Sequence, residues 1–343
     1  MIDLLNKFEE FPFIQAVLID DYFSNLPEEK NNIVRMTLQK FIEKEKKQLY
    51  RCEHNGCNKA AINSHEISET AFLKKIANNN QKLFVIENDF KNNSFSYHFK
   101  DKNTKSISIF PGFCKEHDKN LFEELDSFSG VFDSTFINKQ ALRTTKKAIF
   151  EHYKTISVAE KLKKELENIP FIESTEYYID FVEKIQPQKE RLNRLKIIYQ
   201  EIFDGLETNG HQIVYKIFNI RPTQYLFSIF MDLSQNNNIL APIFIYKLKH
   251  ENKSKLIIGY FNNHDSTTLI NEFLDSDFLI HKLIYEEKKK LVFSTQFLNN
   301  LTENTKDILL KNEELHEFSI VDYLILKEEF GLAEFNKSLE RNI

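Results

Sequence analysis

Two pairs of residues carry the most specific chemistry in the chain. Four residues intervene between Cys52 and Cys57, and two between Cys114 and His117. The 343 residues hold three cysteines, all between positions 52 and 114. Thiolates and an imidazole nitrogen are soft to borderline donors, and two such pairs describe a closed tetrahedral zinc site of Cys3His type, with Zn2+ in a structural role. The first pair brackets Asn55-Gly56, a turn signal that lets both thiolates face one point. The second pair follows Pro111-Gly112 and falls on the first turn of an expected helix, where residues three apart share a side. The competing explanation is three small core cysteines clustered by chance.

His65, in the string AINSHEIS, follows the first pair. The order Cys52/Cys57, Ser64-His65, a strand-rich segment and Cys114-x2-His117-Asp118 resembles the HNH, or ββα-metal, nucleases over roughly residues 50–126. That resemblance implies a treble-clef zinc finger with His65 as the general base and Asp118 as a further helix residue of the site. The chain departs from the pattern in having Ser64 where Asp usually precedes the histidine, and Asp118 where the helix often supplies His. Few hard oxygen ligands are then left for Mg2+, which points away from metal-dependent DNA hydrolysis. RNA cleavage needs less: the 2′-OH is an internal nucleophile, a histidine takes its proton, and a nearby cation stabilises the phosphorane. Lys59, Lys115 and Lys119 are candidate cations by proximity in sequence. His65 has two other readings, a hydrogen-bonded residue of the finger or a zinc ligand replacing His117. The string FPGFCKEHDKNLF also resembles bacterial zinc-finger proteins of antiphage defence, among them the ring-activated zinc-finger ribonucleases, in which a phage assembly triggers RNA cleavage. That likeness implies a latent nuclease, a homo-oligomer and a phage protein as activator.

The elements that must position these residues divide the chain into five parts. Residues 1–50 read as helical, with Val34, Leu38, Phe41 and Ile42 on one stripe. The finger at 51–126 contains three strand-like runs, 83–87, 94–99 and 106–110, ahead of the helix near Cys114. Residues 127–204 return to helix. There, positions 139–164 hold eight basic residues against two glutamates, and Arg143, Lys146 and Lys147 are candidates for gripping phosphate. Residues 205–303 are β-rich, with runs such as QYLFSIFMDL and PIFIYKLKH and one helix near 266–275, and suit a sensing or oligomerising domain. Residues 304–343 read as a helical tail. The expected class is α+β: a treble-clef, HNH-like finger inserted among helices, then a mainly antiparallel sheet and a C-terminal helix.

Composition narrows the functions. A formal net charge of −5 argues against a globally basic nucleic-acid binder, and residues 81–126 hold seven lysines against eight acids. Seven glycines in the whole chain, with no GxGxxG, GxxxxGK[ST] or GxSxG string, disfavour the common nucleotide-dependent enzymes and α/β-hydrolases. No secretory signal and no apolar run near the ~20 residues of a membrane helix are visible, so a cytoplasmic protein without a membrane partner is expected. Three functions are compatible: a zinc-stabilised nuclease acting on RNA rather than DNA, a non-catalytic zinc-finger adaptor, and a nucleic-acid-binding module using the 139–164 helix.

Overall fold

The computed structural model describes residues 28–30, 32, 33, 36, 37, 40 and 50–330, apart from 53, 55, 92, 93, 129, 209, 235–239, 264, 265, 269, 270, 272–276 and 312–316. The stripe expected at Val34–Ile42 and the end of the tail lie outside the described residues, as does most of the helix expected at 266–275, of which 266–268 and 271 are helical. The architecture is mixed α and β with antiparallel sheets.

The first sheet is a small pair. Strand β1 (Asn63–His65) runs antiparallel to β4 (Ile109–Pro111), with His65 opposite Ile109. Between them the chain makes a short helical segment over residues 69–76 and then a long hairpin, β2 (Lys82–Lys91) and β3 (Ser94–Asn103). Helix α1 (Lys115–Asp126) follows β4 directly. Two long helices come next, α2 (Ser134–Leu166) and α3 (Glu176–Glu207), which pack against each other. Each starts where a side chain caps it: Asp133 accepts from the Phe136 amide at 2.8 Å, and Thr175 accepts from the Tyr178 amide at 3.3 Å.

Strands β5 (Ile213–Ile220), β6 (Tyr225–Asp232), β7 (Pro242–His250), β8 (Lys253–Phe261) and β9 (Val292–Phe293) complete a second sheet in the order β3-β2-β9-β6-β7-β8-β5. Its C-terminal helices are α4 (Asp277–Glu286), α5 (Thr295–Asn300), α6 (Glu303–Leu310) and α7 (Ile320–Glu329).

The hairpin expected to belong to the finger is instead part of this large sheet: Phe84 pairs with Phe293 and Val85 with Val292. The reason is visible in its side chains. Leu83 and Val85 point into one core while Phe84 and Ile86 point into the other, and an isolated ribbon would leave both sets in water. Strands β5 to β9 share this two-sided burial, whereas edge strand β3 places Tyr97 and Phe99 in the second core alone. On β7, Phe244 and Tyr246 face α2, α3 and the small sheet, whereas Ile243 and Ile245 face α4–α7. The result is a sheet covered on both sides, with the small sheet and α1 on the side of the long helices. The β-branched and aromatic run KLVFSTQF (290–297), which reads as strand, yields only β9 because Ser294 caps α5, accepting from the Phe297 amide at 3.0 Å.

On α2, His152 is partly buried, and burial together with Arg191 and Lys290 lowers its pKa to about 4, against an opposing pull from Asp232. The unfolded chain takes up this proton below about pH 6.5 and the folded one does not. Stability therefore falls as the pH drops from 6.5 toward 4, at up to about 1.4 kcal/mol per unit. Urea unfolding at pH 7 and pH 5 should show His152→Gln losing about 1–2 kcal/mol less than wild type over that interval.

Candidate metal centre

The chain turns back at Cys52–Cys57 because the Cys52 amide donates to the Lys59 carbonyl at 2.8 Å and the Cys57 amide to the His54 carbonyl at 3.0 Å. Gly56 makes the turn possible: its φ of +76° lies in the left-handed region, which a side chain disfavours by ~1–2 kcal/mol. The second pair is placed by β4 and α1. The Ile62 amide donates to the Phe113 carbonyl at 2.7 Å, stitching the end of β4 beside the first pair. Gly112 leaves room for the Phe110 ring, since a Cβ there would stand 2.5 Å from Phe110 Cε2. Cys114 then occupies the N-cap of α1, with His117 one turn in.

These elements bring Cys52, Cys57, Cys114 and His117 together, with their ligand atoms all within 4.8 Å of one another. Cys52 Sγ and Cys114 Sγ each lie 3.4 Å from His117 Nδ1, and Cys57 Sγ lies 3.9 Å from Cys114 Sγ. An ion bound tetrahedrally at ~2.3 Å from sulfur and ~2.0 Å from nitrogen sets S···S near ~3.8 Å and S···N near ~3.5 Å, so the four atoms can hold a metal ion and are consistent with zinc. Backbone N–H donation from His117 holds the Cys114 thiol below its ordinary pKa, and burial pushes the Cys52 thiol up. The His54 ring stacks on His117 at 3.7 Å and 11°, fixing the plane of the ligand ring.

His65 is outside the cluster. Its Nε2 lies 3.2 Å from the Thr104 carbonyl. A carbonyl only accepts, so Nε2 carries the proton in the neutral ring and Nδ1 carries the lone pair. Burial lowers the His65 pKa, partly offset by the Thr104 carbonyl and by Glu69, so the ring is neutral at pH 7. Thr104 is held in turn by its hydroxyl, which donates to Glu69 Oε1 at 2.8 Å. The ionic groups acting most strongly on His65 are Glu69, Arg143 and Asp126. Asp118, which was paired with His65 by the motif, is half-buried on α1, with one carboxylate oxygen shielded from solvent and without a partner among the described residues.

The basic candidates divide. Lys59, Lys115 and Lys119 are exposed; Lys59 pairs with Glu116, and Lys119 lies 3.5 Å from Glu123. Arg143, Lys146 and Lys147, expected on a phosphate-gripping face, instead point inward. Arg143 is 1% exposed and grips both oxygens of Asp126 at 3.0 Å, its guanidinium lying 4.5 Å from the centre of the Phe122 ring. Lys146 lies over the rings of Tyr199 and Phe113. Lys147 donates to Glu66 at 2.7 Å. The physical cause is that this part of α2 is covered by α1, α3 and the large sheet, so its cations are satisfied internally.

Sequence reasoning passed over Glu66, the residue after His65. Its buried carboxylate accepts from Ser228 at 2.6 Å, Lys147 at 2.7 Å and Ser108 at 3.2 Å, and its carbonyl accepts from Gln140 at 3.0 Å. Burial raises the Glu66 carboxyl, but Lys147 and then Lys290 outweigh it and hold it below the usual range. An acid beside the candidate histidine, with lysines far away in the sequence, was the only available signal. Among the described residues no helix is long and apolar enough to cross a membrane. Comparison of the chain with protein-family models, with curated proteins and with solved structures returns no match.

Proposed function

We propose that the Cys3His cluster binds Zn2+ as the structural centre of a treble-clef finger, and that the finger carries a nuclease site acting on RNA with His65 as the general base. The observation that supports this best is the state of His65 itself. It sits on the strand next to the cluster, neutral at pH 7, with Nε2 anchored on Thr104 and Nδ1 left to accept a proton. Glu69 and Asp126 act on His65 in the sense that stabilises the imidazolium that forms, and Arg143 acts against it.

The inward-facing Arg143, Lys146 and Lys147 bear on regulation. With these cations spent internally, Lys59 tied to Glu116 and Lys119 near Glu123, Lys115 alone of the candidate cations is left without an ion pair among the described residues, which is little positive charge to grip a phosphate backbone. This supports a latent enzyme of antiphage defence in the cytoplasm, whose groove is completed by a second copy or by an activating phage protein. The same burial favours a second reading, a zinc-finger adaptor in which the Thr104 bond to His65 is purely structural.

Cleavage of RNA and DNA by wild type and His65→Ala, with zinc measured on both, separates the readings. The nuclease reading predicts one zinc per chain in each protein and a ~10²–10⁴-fold loss of RNA cleavage in the variant. It also predicts a rate rising with pH through an inflection below 6.5, because His65 must be deprotonated. Zinc lost in the variant would make His65 a ligand, and no cleavage by wild type with candidate phage proteins added would leave the adaptor.

A further inference from the structure

We propose that strand β5 pairs antiparallel with β5 of a second copy of this chain, joining the two large sheets across a two-fold axis. Such a pair makes specific the reading in which a second copy takes part. It is tested by mass and amide exchange, so its failure is distinct from a failure of RNA cleavage.

The large sheet ends on β3 and β5. An open edge presents unpaired N–H and C=O groups, and charged side chains are a common guard against pairing there. Edge β3 is guarded: Lys100, Asp101 and Lys102 stand in succession, and both lysines reach Glu87 on β2. Edge β5 is the run IVYKIFNI, in which Lys216 is the one charged residue.

The ladder with β8 fixes which main-chain groups of β5 face outward. The Asn262 amide donates to the Gln212 carbonyl at 3.0 Å, and the register continues unbroken from Ile213 opposite Phe261 to Ile220 opposite Ser254. Antiparallel bonding alternates, so Val214, Lys216, Phe218 and Ile220 bond toward β8, while Ile213, Tyr215, Ile217 and Asn219 face the edge. Ile213 is answered from α2: the Asn138 side chain accepts from its amide at 3.1 Å and donates to its carbonyl at 3.4 Å. The amides and carbonyls of Tyr215, Ile217 and Asn219 have no partner among the described residues. Asn138 therefore closes one end of the edge and leaves Tyr215 to Asn219 open.

This open stretch is complementary to itself, which is what selects a second copy as its occupant. A two-fold axis through Ile217 sets Ile217 opposite the partner's Ile217 and Tyr215 opposite the partner's Asn219. Every outward amide then meets an outward carbonyl. Tyr215 and Ile217 pack against the first core but are only half-buried, and the neighbouring strand covers the remainder. The cation is kept from its own copy, because Lys216 falls opposite the partner's Phe218. Moving the axis one residue, to Lys216, would set two lysines face to face and turn the unmet groups away from each other.

The test uses the full chain with its metal. Sedimentation over about a hundredfold dilution should show the mass falling from two chains to one. Hydrogen exchange at the same concentrations should show the Tyr215, Ile217 and Asn219 amides protected in the dimer and fast in the monomer, a readout that needs no variant. Ile217→Lys and Ile217→Glu each place like charges opposite one another and should raise the dimer Kd at least ~10-fold. Mixing the two variants should restore a dimer, because the axis sets position 217 against itself. A monomer at every concentration, a dimer whose β5 amides exchange as fast as the monomer's, variants that dimerise like wild type, or a mixture that stays monomeric would each overturn the proposal.

Discussion

If the Cys3His cluster holds zinc as proposed, Cys114→Ser should abolish metal binding and loosen the segment from Tyr50 to Asp126. Cys114 is 3% exposed, caps α1, and stands 3.4 Å from His117 Nδ1 and 3.9 Å from Cys57 Sγ. A serine oxygen is a poor ligand for a soft site and does not reach as far as sulfur. Isolated zinc fingers owe roughly 10–16 kcal/mol to their ion and do not fold without it. Here Phe110, Phe113, Phe122 and Leu125 are buried independently of the metal, so the loss should be smaller, on the order of 5 kcal/mol. Metal analysis should find zinc near one per chain in wild type and near zero in the variant. Limited proteolysis should cut first between residues 50 and 62. A variant with full zinc and an unchanged melting temperature would exclude Cys114 from the centre.

The second large effect comes from Glu66→Ala. It leaves the Lys147 ammonium buried without the carboxylate that holds its pKa above the ordinary value against the opposing effect of burial. It also removes the carboxylate that accepts from the Ser228 hydroxyl, leaving that hydroxyl with Thr144 Oγ1 at 3.2 Å. Removing one partner of a buried pair typically costs about 3–5 kcal/mol. Because the folded-state pKa of Glu66 is depressed, its stabilisation is present above the ordinary carboxylate pKa of about 4.5 and is lost as pH falls through the lower folded value. The wild-type advantage over the variant in urea unfolding should therefore be full at pH 7 and shrink below pH 4. Glu66→Ala/Lys147→Met, which removes both charges, should recover at least half of the loss. An advantage that persists unchanged at pH 3 would mean that the carboxylate charge is not what stabilises this junction.

The clustering of Cys52, Cys57, Cys114 and His117 was legible because its signal is local. Two short spacings, a turn glycine and a helix start state the geometry within a few residues of each ligand. The large strands were legible for a similar reason: runs such as PIFIYKLKH have few alternatives once turns bound them. Sheet membership was not legible. The hairpin β2–β3 lies between His65 and Cys114 in sequence, yet β2 pairs with β9, Phe84 meeting Phe293, and nothing in LFVIE names that distant partner. The basic residues of α2 misled for a related reason. Arg143 and Lys147 are answered by Asp126 and Glu66, which approach only when α1 and the small sheet fold onto the helix. Charge counting along one helix cannot distinguish a solvated face from a buried ion pair whose partners come from elsewhere. The Thr104 carbonyl that fixes the His65 tautomer is a backbone group, so no residue type advertised it.

The central claim is that three cysteines and His117, and not His65, hold one zinc ion. X-ray absorption at the zinc edge on the purified full chain, with metal content measured on the same sample, tests it most directly. The account predicts one zinc per chain with three sulfurs at ~2.3 Å and one nitrogen at ~2.0 Å, unchanged in His65→Ala and lost in His117→Ala. A spectrum with two or more nitrogen ligands, or one that changes in His65→Ala and not in His117→Ala, would contradict it.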